Sequence, residues 1–277
     1  MIGAGLRYGR PETIREALDA FRTEKEAGWT PLYYAGGTEA ATLGKKGKIA
    51  LDTLIDLKGI PECMELGTEE NFLRIGAALP LNTVIDSGLF PLFSSLASGI
   101  ADRTVRNRLS VGGNIAGRLP YREAVLPFLL TGARAVIAGP EGVRTEPVMV
   151  CFDKRLILQP GEFIVRFEVP AVTVNLPFCA IRKTGHSRID YPIVHAVGVA
   201  AEGKIRIAVS GLCSFPFRSA EVEEPLNAGG TVESRVQTAI NALPGPVRND
   251  SRAGRDYRTF LARQAFEETV TTLEASR

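Results

Sequence analysis

Two short glycine-containing segments constrain this chain more than any other feature of its sequence. The first is Tyr34-Ala35-Gly36-Gly37-Thr38-Glu39, and the second is Ser110-Val111-Gly112-Gly113-Asn114. A glycine has no Cβ atom, so it can adopt a positive φ and let a ligand approach the main chain. We therefore predict that bare backbone N–H groups in both segments bind an anion, assisted by the side chains of Thr38, Ser110 and Asn114.

Helix-compatible residues follow each glycine pair, and the N-terminus of a helix favours an anion. Either pair alone would indicate an ordinary turn, because most glycine pairs only shape the backbone. Two such segments in the N-terminal half favour a diphosphate that is held from two sides. Neither segment matches the G-x-G-x-x-G dinucleotide pattern or the G-x-x-x-x-G-K-[ST] phosphate loop, which disfavours both of those binding modes.

Hydrophobic periodicity predicts an α/β chain in which strands and helices alternate. The predicted helices cover residues 11–28, 38–43, 83–87, 92–100, 123–130, 232–242 and 256–273. The predicted strands cover residues 32–34, 49–57, 72–78, 133–138, 155–158, 163–169, 178–182, 192–201 and 204–212, with a hairpin turn at Glu202-Gly203.

The length of 277 residues favours two domains, since a domain typically has about 150 residues. The proline-bounded segment 170–177 is the best candidate for the boundary. We expect an N-terminal domain over residues 1–172, itself in two parts divided near residue 58, and a C-terminal α+β domain over residues 173–277.

Charge and composition disfavour several classes of protein. The chain has 33 basic and 31 acidic residues, and this balance provides no broad electrostatic footprint for nucleic acid. No apolar run approaches the roughly 20 residues that span a bilayer, and no signal-peptide pattern is present, so we expect no membrane insertion and a cytoplasmic location. The four cysteines form no C-x-x-C pair, which predicts buried thiols and no metal site.

The sequence favours a structural role over a catalytic one for two groups of polar residues. His186 and His195 are the only histidines, and no set of carboxylates or further ligands that would support a catalytic or metal-binding role stands out in the sequence. His195 lies in an apolar strand, where we predict a hydrogen-bonded core or half-exposed histidine. A series of C-terminal arginines is predicted to form a helix stripe that faces solvent or another subunit: Arg248, Arg252, Arg255, Arg258 and Arg263.

The glycine segments, taken with Arg106-Asn107 and Ile115-Ala116, resemble those of a known family, the FAD-binding subunits of molybdenum hydroxylases. This is the xanthine dehydrogenase and carbon monoxide dehydrogenase flavoprotein family. Segments 160–165 and 256–265 extend the similarity over the whole chain. The resemblance implies a two-part FAD-binding domain of the PCMH type and a smaller α+β domain like the C-terminal domain of the carbon monoxide dehydrogenase flavoprotein.

The same resemblance implies which residues contact FAD. Glu123 stands where the family usually has an aspartate, and Ile100 and Ile164 would lie beside the cofactor. The family often has a lysine on the strand at 178–180, so Arg182 or Lys183 would take its place here. The full set is Tyr33, Tyr34, Ala35, Gly36, Gly37, Thr38, Glu39, Ala40, Ile100, Arg106, Ser110, Val111, Gly112, Gly113, Asn114, Glu123, Ile164, Arg182 and Lys183.

The implied function is electron transfer in an oxidoreductase complex, with FAD rather than a side chain as the redox group. A large partner subunit would carry molybdopterin, and a small partner with [2Fe–2S] clusters would deliver electrons that FAD passes to NAD⁺ or another acceptor. Two alternatives stay open: a stand-alone flavin-dependent reductase or oxidase, and a noncatalytic flavin-binding or assembly module. The substrate of the partner, the acceptor and the stoichiometry are not encoded in recognisable motifs.

Overall fold

The first part of the chain forms a small parallel sheet with two helices. The structure is a computed structural model that describes residues 2–49, 51–185, 187 and 189–276. Three strands pair in the order β1-β3-β2, all parallel. In chain order the elements are β1 (Ile2–Gly9), α1 (Ile14–Glu26), β2 (Pro31–Tyr34), α2 (Thr38–Lys45) and β3 (Leu51–Asp56).

The middle of the chain forms a five-stranded antiparallel sheet in the order β4-β5-β10-β6-β7. Short helices connect its strands, and β8 and β9 form a separate hairpin. The elements are β4 (Leu66–Glu69), β5 (Phe72–Gly76), α3 (Leu81–Ser87), α4 (Pro91–Ala97), α5 (Arg103–Arg106), α6 (Val111–Ala116), α7 (Leu126–Thr131), β6 (Arg134–Gly139), β7 (Gly142–Pro147), α8 (Val148–Cys151), β8 (Phe152–Asp153), β9 (Arg155–Leu156) and β10 (Phe163–Pro170).

The C-terminal part combines an antiparallel sheet, in the order β11-β12-β13-β14, with three helices. Glu202 and Gly203 both have positive φ values, of 53° and 71°, which is the backbone that a two-residue hairpin turn requires. The elements are β11 (Phe178–Thr184), β12 (Pro192–Ala201), β13 (Lys204–Ser210), β14 (Phe217–Arg218), α9 (Ala220–Leu226), α10 (Val232–Asn241) and α11 (Arg255–Ala275).

The sheets are stacked in layers, because alternate residues of each strand face opposite sides. On β6, Val136 belongs to the core shared with the N-terminal sheet, whereas Ile137 faces the core formed by α3, α4 and α7. On β12, Val197 joins that same middle core, whereas Ala196 faces α9, α10 and α11. The middle core therefore contacts both the five-stranded sheet and the C-terminal sheet.

The predicted α/β class is confirmed, and the long apolar elements lie where the sequence pattern placed them. Strand β12 has the predicted bounds, 192–201. The predicted strand 155–158 is reduced to the two residues of β9. Strands β1, β4 and β7 and helix α9 were not predicted. Strands β4 and β7 lie at the edges of their sheet and are largely exposed, so they lack the apolar signal on which the prediction depended.

Arg258 corrects the prediction of an exposed arginine stripe. Its side chain is fully buried and donates to the carbonyl oxygens of Ile193 and Gly211, both at 2.8 Å, and to Asp250 Oδ1 at 2.7 Å. A buried guanidinium is tolerated when acceptors surround it. The helical pattern alone could not reveal those acceptors, since two of them are backbone carbonyls far away along the chain, in β12 and just after β13.

The four cysteines are buried free thiols, as the sequence predicted. Burial raises the pKa of the Cys63 thiol to about 12 and that of Cys151 to about 11. Within the described ranges, no set of three or more histidine, cysteine or acidic side chains is arranged to hold a metal ion. None of the helices in the described part of the chain combines the length and the apolar character needed to cross a membrane.

Replacing Phe128 tests the importance of the middle core. Phe128 is fully buried and stacks on Phe167 at a centroid distance of 4.4 Å, so Phe128→Ala should lower the free energy of unfolding by about 3–5 kcal/mol. Urea unfolding of the full chain measures this change. Phe260→Ala is the matched control, because Phe260 is 53% exposed and should change stability by less than about 1 kcal/mol. Equal effects of the two variants would contradict the assignment of this core.

Candidate functional site

The two glycine segments meet at a direct backbone contact. A side chain at Gly36 would place its Cβ 1.9 Å from the carbonyl oxygen of Arg108 and 3.0 Å from the backbone nitrogen of Ser110. Only a residue without Cβ fits there. The backbone of Gly36 does not have a positive φ, so the requirement for glycine comes from this close approach and not from conformational freedom.

The first segment ends in a helix N-terminus without a side-chain cap. Gly37, the N-cap of α2, has a φ of +65°, and a Cβ there would overlap the Tyr34 ring at 2.1 Å. No oxygen atom of the described residues accepts a hydrogen bond from the backbone N–H groups of residues 36 to 40. These five donors and the positive end of the α2 dipole form a site that favours an anion.

The second segment differs from its prediction. Residues 111–116 are the helix α6, and neither Gly112 nor Gly113 has a positive φ. Their amides are already used: Gly112 N donates to Ala77 O at 2.8 Å, and Gly113 N donates to Ser110 Oγ at 3.2 Å. The prediction of bare N–H groups and positive φ is therefore wrong for these two residues.

Close packing explains the glycines of the second segment. A Cβ at Gly112 would lie 2.8 Å from Ala77 Cβ, and one at Gly113 would lie 2.5 Å from Ser110 Oγ. The amides of Val111 and Asn114 also donate to carbonyl oxygens within the protein. What this segment can offer a ligand is the Ser110 hydroxyl hydrogen and the Asn114 Nδ2 group.

Glu39 connects the two segments electrostatically. Its carboxylate accepts two hydrogen bonds from the backbone N–H of Arg118, at 2.8 and 3.0 Å. This N–H lies two residues after the end of α6. The acidic side chain in the first turn of α2 is thus hydrogen-bonded to the backbone that follows α6. This contact holds the two loops together.

Tyr33 and Tyr34 anchor the first glycine turn to neighbouring parts of the protein. Tyr33 stacks on Phe21 at 4.8 Å and donates its hydroxyl hydrogen to Gly161 O at 2.9 Å. Lys58 Nζ lies 4.5 Å from the centre of the Tyr34 ring and donates to the carbonyl oxygen of Ala35 at 2.8 Å. Sequence analysis missed Lys58, whose only signal was a basic residue directly after a predicted strand.

Ile100 and Ile164 are both buried in the middle core. Arg106 was expected to contact a cofactor, but its guanidinium donates hydrogen bonds to groups of the protein itself. It donates to Asn82 Oδ1 at 3.0 Å and to the carbonyl oxygens of residues 98, 100 and 101, including Ile100 O at 3.1 Å. Arg106 therefore fixes the loop that carries Ile100.

Glu123 is the centre of a buried ionic cluster. It is 3% exposed, and its Oε1 atom lies 2.6 Å from His195 Nδ1 and 3.1 Å from Arg182 Nε. Arg182 also donates to the carbonyl oxygen of Asp190 at 2.7 Å. The Arg182 side chain packs against Gly99, where a Cβ would lie 3.0 Å from Arg182 Cδ. Arg182 thus joins Glu123 to the loop of Ile100.

Lys183 points away from this cluster. As the next residue on β11 it lies on the opposite face of the strand, and its Nζ is 3.9 Å from Glu268 Oε2 on α11. Of the two residues that could replace the family lysine, only Arg182 is near Glu123.

Of the two alternatives predicted for His195, a hydrogen-bonded core histidine or a half-exposed one, the structure shows the first. The side chain is 1% exposed and contacts Glu123, 72 positions earlier in the chain. Sequence proximity could not reveal this carboxylate. His186 lies outside the described residues.

Burial and hydrogen bonding act in opposite directions on Glu123. Burial is the largest influence and raises its pKa, but the hydrogen bonds from His195 and Arg182 and the positive charge of Arg182 together outweigh it. The pKa of Glu123 is therefore held below its ordinary value, and the carboxylate is ionised at neutral pH.

Similarity to known proteins defines the class of protein to which this chain belongs. The fold is similar to that of a chain of carbon monoxide dehydrogenase from Hydrogenophaga pseudoflava, in a solved form that lacks the Mo-pyranopterin moiety: the TM-score is 0.87, with 26% identity and 99% of each chain covered. Residues 4–172 match the model of the FAD-binding domain in molybdopterin dehydrogenase. The chain belongs to this family, and FAD is the cofactor that the family binds.

Two relatives in sequence extend over nearly the whole chain. The carbon monoxide dehydrogenase medium chain of Hydrogenophaga pseudoflava is 28% identical over 98% of this chain and 97% of that relative. The xanthine dehydrogenase FAD-binding subunit of Escherichia coli O157:H7 is 21% identical over 97% of this chain and 96% of that protein. The recognition of the xanthine dehydrogenase and carbon monoxide dehydrogenase flavoprotein family is confirmed, as is the assignment to oxidoreductase subunits.

Gly36→Ala tests the contact between the two segments. The new Cβ would overlap the Arg108 carbonyl oxygen, so the backbone must shift, and we expect unfolding to become easier by about 1–3 kcal/mol. Urea unfolding of the full chain measures the effect. Gly67→Ala is the control, because a Cβ at Gly67 would meet no atom within 4 Å. Unchanged stability of Gly36→Ala would show that the segments do not approach as described.

The lowered pKa of Glu123 predicts a defined pH dependence of stability. A carboxylate whose pKa is lower in the folded state stabilises the protein above its unfolded-state pKa of about 4.3, and this contribution is lost as the pH falls through the folded-state value. The difference in unfolding free energy between wild type and Glu123→Gln should therefore be largest above about pH 5. Urea unfolding from pH 7 down to pH 3 tests it. A difference that grows as the pH falls would contradict the sign.

Proposed function

We propose that this chain is the FAD-carrying electron-transfer subunit of a molybdenum hydroxylase-type complex in the cytoplasm. It accepts electrons from a partner subunit with [2Fe–2S] clusters and passes them to NAD⁺ or another acceptor. A further partner with molybdopterin oxidises the substrate. The observation that carries the proposal is the set of five unpaired amides at residues 36–40, in a chain of the FAD-binding family.

The residues at the contact between the glycine segments fit an FAD diphosphate. The amides from Gly36 to Ala40 would donate to its oxygen atoms, and so would the side chains of Ser110 and Asn114. An anionic diphosphate suits backbone N–H donors without acceptors at a helix N-terminus better than a neutral group does. The remaining predicted contacts, from Val111 to Gly113, shape the cradle through packing rather than through free amides.

The residues around Glu123 fit the flavin end of the same cofactor. Arg182 is the cation that takes the place of the family lysine, since it alone of the two candidates lies beside Glu123 and the loop of Ile100. Ile100 and Ile164 supply apolar surface, and Arg106 holds the Ile100 loop. When bound, FAD supplies the redox chemistry, while these side chains bind it and determine its electrostatic surroundings.

The partner subunits are inferred from the relatives. One relative is described as a medium chain of carbon monoxide dehydrogenase, and another as an FAD-binding subunit of xanthine dehydrogenase. Both descriptions are those of components of larger enzymes. An isolated electron carrier of this kind needs a donor, and the [2Fe–2S] and molybdopterin subunits would provide the path from substrate to FAD.

Purification of the affinity-tagged chain from its native source tests this function. We expect co-purification of two other polypeptides, with iron, molybdenum and FAD in the preparation. After rapid mixing with an oxidisable substrate of the complex, the flavin absorbance near 450 nm should bleach only when both partners are present. A chain that purifies alone and oxidises NADH unaided would contradict the proposal and favour a stand-alone reductase.

Arg182→Ala and Lys183→Ala form a matched pair for the flavin end of the site. Loss of Arg182 removes a cation that is paired with a buried carboxylate, so the Kd for FAD should rise by roughly 10- to 100-fold. Lys183 faces α11, so Lys183→Ala should leave the Kd unchanged. Titration of the flavin-free full chain with FAD, followed by flavin fluorescence, provides both values. The reverse order of effects would assign the role to Lys183.

A further inference from the structure

Three consecutive strands of the C-terminal sheet present polar side chains in one row. Arg182 on β11 pairs with His195 on β12, and His195 pairs with Ser210 on β13. Directly opposed residues project from the same face of a sheet. The same face carries apolar residues of the middle core, such as Val197 and Ala208, and two arginines farther along it, Arg206 and Arg218. The row Arg182, His195 and Ser210 is therefore one of two polar groups on a face that otherwise packs as core.

All three side chains of this row contact one short segment of the N-terminal part. Arg182 and His195 both contact the Glu123 carboxylate, at 3.1 and 2.6 Å. Ser210, which is fully buried, donates its hydroxyl hydrogen to the carbonyl oxygen of Tyr121 at 2.5 Å. The segment 121–123 is thus held at both ends by the C-terminal sheet.

The segment between these contacts has a backbone that needs support. Arg122 has a φ of +32°, an uncommon conformation for a residue with a side chain. Its guanidinium is buried and donates to the carbonyl oxygen of Lys154 at 2.6 Å. Burial lowers the pKa of Arg122. The segment therefore contains an unfavourable backbone conformation and a buried charge. The contacts from Arg182, His195 and Ser210 stabilise it in this conformation.

Segment 121–123 is also attached to the second glycine segment. Asn114 Oδ1 accepts a hydrogen bond from the backbone N–H of Ala124 at 3.1 Å, directly after Glu123. This bond determines which way the Asn114 side chain presents its Nδ2 group. A displacement of 121–123 would therefore move both Glu123 and Asn114, which lie at the two ends of the proposed cofactor site.

We propose that the cross-strand row is a clamp through which the C-terminal sheet positions the FAD site, with His195 and Ser210 as positioning residues. The inference rests on the proposed FAD-binding role of Glu123 and Asn114. His195 orients the Glu123 carboxylate, and Ser210 fixes the backbone that precedes it. Neither side chain needs to touch FAD, and both act through segment 121–123.

Titration of four full-length variants with FAD tests the clamp. His195→Leu removes the hydrogen bond to Glu123, whereas His195→Asn retains a donor at the position of Nδ1. Ser210→Ala removes only the hydroxyl. Thr269→Val is the control, because Thr269 is an equally buried hydroxyl of the C-terminal part that donates to Ala265 O within α11. Flavin fluorescence gives the Kd for FAD, and urea unfolding of the flavin-free chains gives their stability.

We expect a Kd for FAD that is roughly tenfold higher for His195→Leu, a smaller increase of a few fold for Ser210→Ala, and a near wild-type value for His195→Asn and Thr269→Val. A near wild-type Kd for His195→Asn would show that His195 acts by orienting the Glu123 carboxylate and not only by filling space in the core. Should His195→Leu fail to fold, the Kd values of Ser210→Ala and Thr269→Val decide whether the clamp affects FAD binding. Wild-type affinity in both clamp variants would overturn the inference while leaving FAD binding intact, whereas a wild-type chain that takes up no FAD would refute the proposed function itself.

Discussion

The contact between Gly36 and the Arg108 carbonyl oxygen is the constraint on which the rest of the site depends. It brings the N-terminus of α2 to the loop that precedes α6, and it does so at a distance that excludes every side chain. The N-terminal parallel sheet and the five-stranded sheet each supply one of the two loops. The backbone amides of residues 36–40 have no acceptor within the described part of the chain, an arrangement that is costly unless a ligand or water satisfies them.

A second constraint acts from the C-terminal sheet. The buried charge of Glu123 is acceptable because two donors, from neighbouring strands, share its carboxylate. Each of these strands also contributes apolar residues to the middle core, so the sheet and the cofactor-binding part cannot be separated without exposing both. The site therefore depends on contacts between residues that lie far apart along the chain, from residue 36 to residue 210.

Much of this organisation could be predicted from the sequence, and the failures have physical causes. The apolar periodicities of α1, β10 and β12 predicted those elements, and the glycine segments indicated the ligand class. The role of Gly113 was predicted wrongly because glycine in the first turn of a helix and glycine at positive φ look the same in a sequence. Arg258 and His195 were interpreted without their partners, since Gly211 and Glu123 lie far away along the chain. Edge strands such as β7 gave too little apolar signal to be recognised.

The most direct measurement is a crystal structure of the full chain with FAD bound. We expect diphosphate oxygen atoms at hydrogen-bonding distance, about 2.7–3.2 Å, from the backbone nitrogens of residues 36 to 40. We also expect Ser110 and Asn114 to approach the same group. A diphosphate bound elsewhere, with these five amides facing only solvent, would contradict the central claim.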